Sequence, residues 1–338
     1  MLEYVPLALI LIVLLSWSID YINGFHDTAN AIATVISTGV LSARTAIFMA
    51  ASLNFIGALM GTKVATTIAK GLADPVHVVP VVIISALLAA ITWDLLTWWF
   101  GIPSSTSHTL MGGLMGAVMA HAGAKALHTA KLKEVAAFIV ISPTLGFILA
   151  AVIILVILWL VRRQPGHLVN YAFRKLQLVS AGAMAFTHGQ NDAQKAMGII
   201  CLGLITYKML PVTAAGASVA VPLWVKIGCA AMMGLGTASG GWKIIKTLGH
   251  RIGKLRPIHG FAAETAAAAL LFTTAHLGIP VSTTHAITGS IMGVGASMNP
   301  GAVRWGLAGN IVVAWILTIP VSALLAAGFY RLLSPYIH

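Results

Sequence analysis

The sequence predicts an all-α membrane protein made of two inverted repeats, with broken transmembrane helices and re-entrant helical hairpins. Three observations predict it. Hydrophobic residues fill 59% of 338 positions, mean hydropathy is +0.94, and formal charge is confined to 20 Lys and Arg and 8 Asp and Glu. Soluble domains carry about a quarter charged residues, and these apolar runs are too many and too long for one buried core. The second observation is an echo. Gly24-Phe25-His26-Asp27-Thr28-Ala29-Asn30-Ala31 is answered by Gly189-Gln190-Asn191-Asp192-Ala193-Gln194-Lys195-Ala196, with Gly first and Asp and Ala at matching offsets. The third is a further echo in the same order. Gly101-Ile102-Pro103-Ser104-Ser105-Thr106-Ser107-His108 matches Gly278-Ile279-Pro280-Val281-Ser282-Thr283-Thr284-His285.

Taken in order, residues 5–19 are apolar and lead into a stretch broken by Asp20, Asn23, Gly24, His26, Asp27 and Asn30. A removable signal peptide fits poorly, because Glu3 precedes the apolar run and that run flows straight into the Asp27 motif. A charge at membrane depth costs ~2.5–3.5 kcal/mol on insertion scales. A broken helix facing protein or water is the cheaper arrangement. Residues 46–69 form the next span, Asp74-Pro75 a loop, and residues 78–100 another span. Trp93, Trp98 and Trp99 read as an interfacial belt with Asp94 at its edge. Residues 101–119 open with Pro103 and hydroxyls and continue as a short Gly-rich run, the pattern of a re-entrant hairpin. Residues 135–161 span again.

Residues 1–161 thus form a first repeat, 162–175 a basic cytoplasmic linker, and 176–338 a second repeat. In the latter, 176–206 hold the Asp192 motif, 212–239 and 258–277 span, 279–298 repeat the hairpin and 303–332 span last. Lys243, Lys246, Arg251, Lys254 and Arg256 make a second basic loop. An odd number of crossings per half makes the repeats inverted, around a central site.

The net charge of +12 could suggest nucleic acid. The basic residues instead cluster between apolar runs, as the positive-inside rule places them, and can touch anionic lipid heads. No nucleic-acid partner is expected. Cys201 and Cys229 lie in apolar surroundings without CxxC spacing and read as buried thiols.

Asp27 and Asp192 fall at matching positions in apolar sequence. Helix capping is the plain alternative, but a repeated intramembrane carboxylate points to function. In the hairpins, Pro suits a first helical turn. Flanking hydroxyls and free backbone N–H groups then make an anion site without Lys or Arg. Ordinary N-capping is again the alternative. A carboxylate beside an anion needs a cation, a proton or a protonated oxyanion. Phosphate near neutral pH keeps a P–OH to donate and sulfate does not, so phosphate is favoured.

These motifs resemble the inorganic phosphate transporter (PiT) family, and the resemblance covers nearly the whole chain. It implies a multi-pass symporter of the bacterial cytoplasmic membrane, with phosphate at the midplane and H⁺ or Na⁺ as partner, and no cofactor. Carried over, Asp27, Asn30, Asn191 and Asp192 match the Asp motifs, and Ser104, Ser105, Thr106, Ser282, Thr283 and Thr284 match the hairpins. The hairpin hydroxyls, Asn30 and Asn191 are expected to bind substrate. Asp27, Asp192, His26, Glu264 and Asn54 are expected to handle the coupling ion, Asn54 and Glu264 sitting where many members carry glutamates.

The chain departs from the family's pattern at His26, at Asn54 and at Gln194-Lys195, where oxygen ligands are expected. Hard cations want oxygen. The pattern is therefore similar to the proton-coupled, low-affinity bacterial branch, which accepts metal–phosphate complexes. Lys195 reads equally as a fixed counter-charge or as a snorkelling side chain. His108, His188 and His285 with the two Asp could suggest zinc, but no dense ligand spacing supports it. The Gly112/Gly113/Gly116 and Gly289/Gly293 faces suggest close helix packing and could also seed a homodimer. The rivals are a Na⁺-coupled symporter, a sulfate permease on the same scaffold, a channel and an intramembrane metal-dependent enzyme. A nucleotide-driven pump would need a P-loop, which this sequence lacks.

Overall fold

A computed structural model of the chain describes residues 6–71, 75–211, 219–241, 244–245 and 255–337. Asp74, Lys243, Lys246, Arg251 and Lys254, expected in loops, lie outside them, as does 212–218 of the expected 212–239 span. The described residues are helical with short connections.

Helices α1 (Leu7–His26) and α2 (Thr28–Ser37) are separated by Asp27 alone, which is non-helical at φ −97°, ψ 5°. Thr28 Oγ1 donates to the Gly24 carbonyl at 2.5 Å, satisfying an oxygen at the break. The span expected over 46–69 is instead two helices, α3 (Ala43–Ala58) and α4 (Lys63–Gly71), bent by 67° at Leu59–Thr62. Gly61 at φ +96° allows the turn, and Gln194 Oε1 accepts from Val64 N at 2.9 Å to cap α4.

Helix α5 (Pro80–Phe100) starts on Pro80 and ends on left-handed Gly101, the proline and glycine placement that opens and closes helices. An extended segment then leads into α6 (Thr106–Ala122), capped by Ser105. Helix α7 (Thr129–Val161) follows. The second half contains α8 (Gly166–Thr206), α9 (Leu223–Ser239), α10 (Pro257–Leu277), α11 (Thr283–Met298) and α12 (Trp305–Leu333). Helix α10 begins on Pro257 and ends on left-handed Gly278, as α5 does on Pro80 and Gly101, and α11 is capped by Ser282, as α6 is by Ser105.

Packing is reciprocal between the halves. Helix α6 lies on α12, and α11 lies on α7. Likewise α1 lies on α9, and α8 on α3. The glycine faces make the hairpin contacts close. A Cβ at Gly116 would stand 2.0 Å from the Ala323 carbonyl, and one at Gly293 would stand 2.1 Å from that of Phe147. Backbone cannot yield there, so Gly293→Ala should lower stability by about 1–3 kcal/mol. Gly306→Ala, with nothing within 4 Å, should not. Thermal unfolding in detergent checks the pair.

Among the described residues, Leu7–Ser37, Pro80–Phe100, Thr129–Val161 and Trp305–Leu333 are long and apolar enough to cross a membrane, and the bent α3–α4 pair makes a fifth if it is one span and not a re-entrant loop. Helices α8 and α10 miss that test because their inward faces are polar, carrying buried Gln177, Ser180, His188, Asn191, Asp192, Lys195 and Glu264.

Three expectations are corrected. Residues 166–175, read as linker, are the first turns of α8, leaving only Arg162–Pro165 as a turn. Asp94 is not at an interface. It is fully buried and accepts from Thr109 Oγ1 at 2.9 Å, on the side of α5 that covers the first hairpin. The second Asp motif does not break its helix, since α8 runs unbroken through Asp192. Lys195 sits at i+3 and pairs with Asp192 within that helix, whereas Asp27 has Asn30 at that position.

Candidate functional site

The two Asp motifs meet the two hairpin tips in the buried centre of the molecule. Helix α1 delivers Asn23 and His26, the break delivers Asp27, and α2 delivers Asn30. Helix α8 delivers His188, Asn191, Asp192 and Lys195. All are at most 3% exposed.

Asp27 and Asp192 lie close together. One ligand atom each from Asp27, His188 and Asp192 falls within 4.8 Å of the others. Thr283 of the second tip bridges them, its Oγ1 lying 3.1 Å from Asp192 Oδ2 and 3.5 Å from Asp27 Oδ2. Thr284 Oγ1 is 3.4 Å from Asp27 Oδ2, and Asn30 Nδ2 donates to it at 2.9 Å. Asn23 Nδ2 donates to Asp192 Oδ2 at 3.3 Å.

The surroundings of the two carboxylates differ. Asp27 Oδ1 pairs with His26 Nδ1 at 2.8 Å. His26 Nε2 lies 3.1 Å from Thr97 Oγ1, which bonds Ser104 of the first tip at 2.8 Å. The imidazole therefore joins a chain of exchangeable protons. Asp192 instead holds Lys195 Nζ at 2.5 Å. The same ammonium donates to Ser107 Oγ of the first tip and to the Val281 carbonyl of the second, the latter at 3.1 Å. Lys195 is thus a fixed counter-charge; it does not snorkel.

Ser105 and Ser282 accept from the backbone N–H of His108 and His285, so both cap their helices as the plain alternative expected. Ser104 and Thr106 are buried at the first tip. Asn30 Oδ1, Asn23 Oδ1 and both amide atoms of Asn191 are buried without a protein partner among the described residues. Buried polar atoms in this condition are what a polar solute would engage.

Two expected residues stand back from the centre. Asn54 bonds His188 Nδ1 at 3.0 Å and Thr237 Oγ1 at 2.8 Å, orienting the imidazole whose Nε2 is 3.6 Å from Asp192. Glu264 is bound by Thr34 at 2.5 Å, Gln177 at 2.9 Å and Ser180. None of these belongs to the Asp cluster. Thr34 lies seven residues beyond Asp27, about 10 Å along a helix. His108 and His285 also stay out of the Asp27–His188–Asp192 group, the one such group among the described residues. Their rings meet at 4.7 Å, and His285 stacks on Trp315 at 3.9 Å, which is helix packing.

Sequence reasoning did not assign Ser107 and Asn23 to the site. Ser107 aligns with Thr284, which was assigned, so the repeat itself carried that signal. Asn23 precedes Asp27 by four residues and shares its helix face.

The profile of the phosphate transporter family matches this chain twice, over residues 23–170 and 162–326. The chain belongs to the phosphate transporter family. Among similar members, a protein of Rhizobium meliloti (strain 1021) described as a probable low-affinity inorganic phosphate transporter is 51% identical over 312 residues, 92% of each chain. One of Bacillus subtilis (strain 168) with the same description is 46% identical over 327 residues, 96% of this chain and 97% of its own. A solved structure described as the sodium-dependent phosphate transporter aligns with TM-score 0.87 at 25% identity, covering 98% of this chain and all of that one. These relatives are transporters by name, in line with the expectation that the chain is not an enzyme.

Proposed function

We propose that this phosphate transporter is a secondary active symporter that carries inorganic phosphate across the bacterial cytoplasmic membrane together with protons. Family membership supports the substrate, and the low-affinity relatives support the class. The observation that carries the coupling reading is the unequal pair. Asp192 already has a permanent cation in Lys195, with the His188 imidazole 3.6 Å away, while Asp27 pairs with the titratable His26 and no permanent cation. A proton taken up on Asp27–His26 removes a negative charge facing the anion, and its release on the other side restores the repulsion. Moving phosphate inward against a negative-inside potential costs ~2.3 kcal/mol per charge per 100 mV, so a co-travelling positive charge is needed.

The hydroxyls of Thr283 and Thr284, the tip of the first hairpin and the amides of Asn30 and Asn191 are the donors assigned to the phosphate oxygens. The Asp192 carboxylate accepts from its P–OH, which is the discrimination against sulfate. Asp27, His188 and Asp192 also form a ligand set that a divalent cation could share, which supports cargo in the form of a metal–phosphate complex. The reciprocal packing of α6 on α12 and α11 on α7 supports two matched halves, which we assign as inverted repeats around the central site.

The sodium-dependent structural neighbour favours Na⁺ as the second reading. Radiolabelled phosphate uptake into proteoliposomes separates the two. An imposed pH gradient, acid outside, should drive accumulation, a Na⁺ gradient should not, and excess sulfate should compete poorly. Uptake that requires Na⁺ and ignores the pH gradient would overturn proton coupling.

A further inference from the structure

We propose that the Lys195 ammonium is a built-in cation occupying a latent Na⁺ site between the two hairpin tips, so that the chain carries one coupling cation as part of itself. The site's three ligands are all oxygens: the Asp192 carboxylate at 2.5 Å, the Val281 carbonyl at 3.1 Å and the Ser107 hydroxyl. Carboxylate, carbonyl and hydroxyl are the donors hard cations choose. They come from three separate elements: α8, the segment before α11, and the first turn of α6. An ammonium has three protons, and each finds one acceptor here. The group is 3% exposed, so the three protein oxygens are its neighbours in place of bulk solvent.

The internal repeat shows what the position would otherwise be. Asn30 occupies the matching i+3 place after Asp27 and presents an uncharged amide there. One half therefore carries a tethered cation and the other does not. The Lys195 charge is covalently attached and cannot cross with the substrate. It compensates Asp192 in every state of the cycle, and only the Asp27 side is left to exchange a mobile cation. Position 195 thereby sets which cation couples, and how many.

The inference deepens the proton-symport reading but is tested separately from it. Purified full-length wild type, Lys195→Asn and Lys195→Ala are compared in NaCl and in choline chloride at equal ionic strength. Thermal unfolding is the first readout and labelled phosphate uptake the second. Both variants should gain a saturable, Na⁺-specific rise in unfolding midpoint of about 5 °C beyond any wild-type shift. Lys195→Asn should also acquire uptake that requires Na⁺. If both variants are monodisperse and helical yet show no Na⁺-specific shift beyond wild type, the inference is overturned. If neither variant can be purified folded in choline chloride but both can in NaCl, that rescue supports it. Failure to fold in either salt overturns it, since a latent site would have been filled by Na⁺. Na⁺ dependence in the wild type would remove the proton reading alone, and the difference between wild type and variants would still decide Lys195.

Discussion

Asp27→Asn should abolish gradient-driven phosphate accumulation while leaving phosphate–phosphate exchange measurable. The amide keeps nearly the shape of the carboxylate and can still accept from Thr283 and Thr284, so the tip of the second hairpin stays in place. What disappears is the negative charge that pairs with His26, to which we assign the proton. Accumulation driven by the gradient should fall to the level of protein-free liposomes. Counterflow, in which unlabelled phosphate inside exchanges for labelled phosphate outside, needs binding and the conformational cycle but no net proton movement. Normal accumulation in this variant would remove Asp27 from the coupling step. Loss of exchange as well would show that its charge is needed to hold the substrate.

Asp192→Asn should be the most destabilising substitution in the site. It strips the Lys195 ammonium of its carboxylate while Ser107 and Val281 keep it buried. Breaking a buried ion pair from one side costs about 3–5 kcal/mol, because the surviving charge is left uncompensated. Replacing both partners at once, Asp192→Asn with Lys195→Met, should recover most of that stability. Transport should remain lost in the double variant, since Asp192 also holds Thr283 and Asn23 in register. Unfolding midpoints of the single and double variants form the cycle. An Asp192→Asn protein as stable as wild type would mean that the pair is not the buried ionic contact its 2.5 Å separation implies.

Much of the site was legible because the chain states it twice. Asp27 with Asp192, Ser105 with Ser282 and Thr106 with Thr283 stand out as polar insertions in apolar sequence at matched offsets. Such insertions are expensive enough in a membrane to demand a reason. Spans were read within a few residues where Pro and Gly bracket them, as with Pro80 and Gly101 or Pro257 and Gly278. Less legible were features set by a partner elsewhere in the chain. Asp94 beside three tryptophans looks interfacial until Thr109 folds back against it. The bend between α3 and α4 depends on Gln194, some 130 positions away, capping α4. Glu264 was grouped with the coupling residues by resemblance. Only the packing of α10 against α2 and α8 gives it a polar nest of its own.

The amino-acid sequence alone determined the class of protein, the division into two repeats and the identity of the four motifs, because hydropathy, punctuation and repetition are local or self-referential properties. Tertiary structure decided which copy of the Asp motif breaks its helix and which carries its own cation. How that cation is held depends on where the Lys195 ammonium can reach. Its reach is fixed by two hairpin tips from opposite halves of the chain, which become neighbours only once the helices have packed.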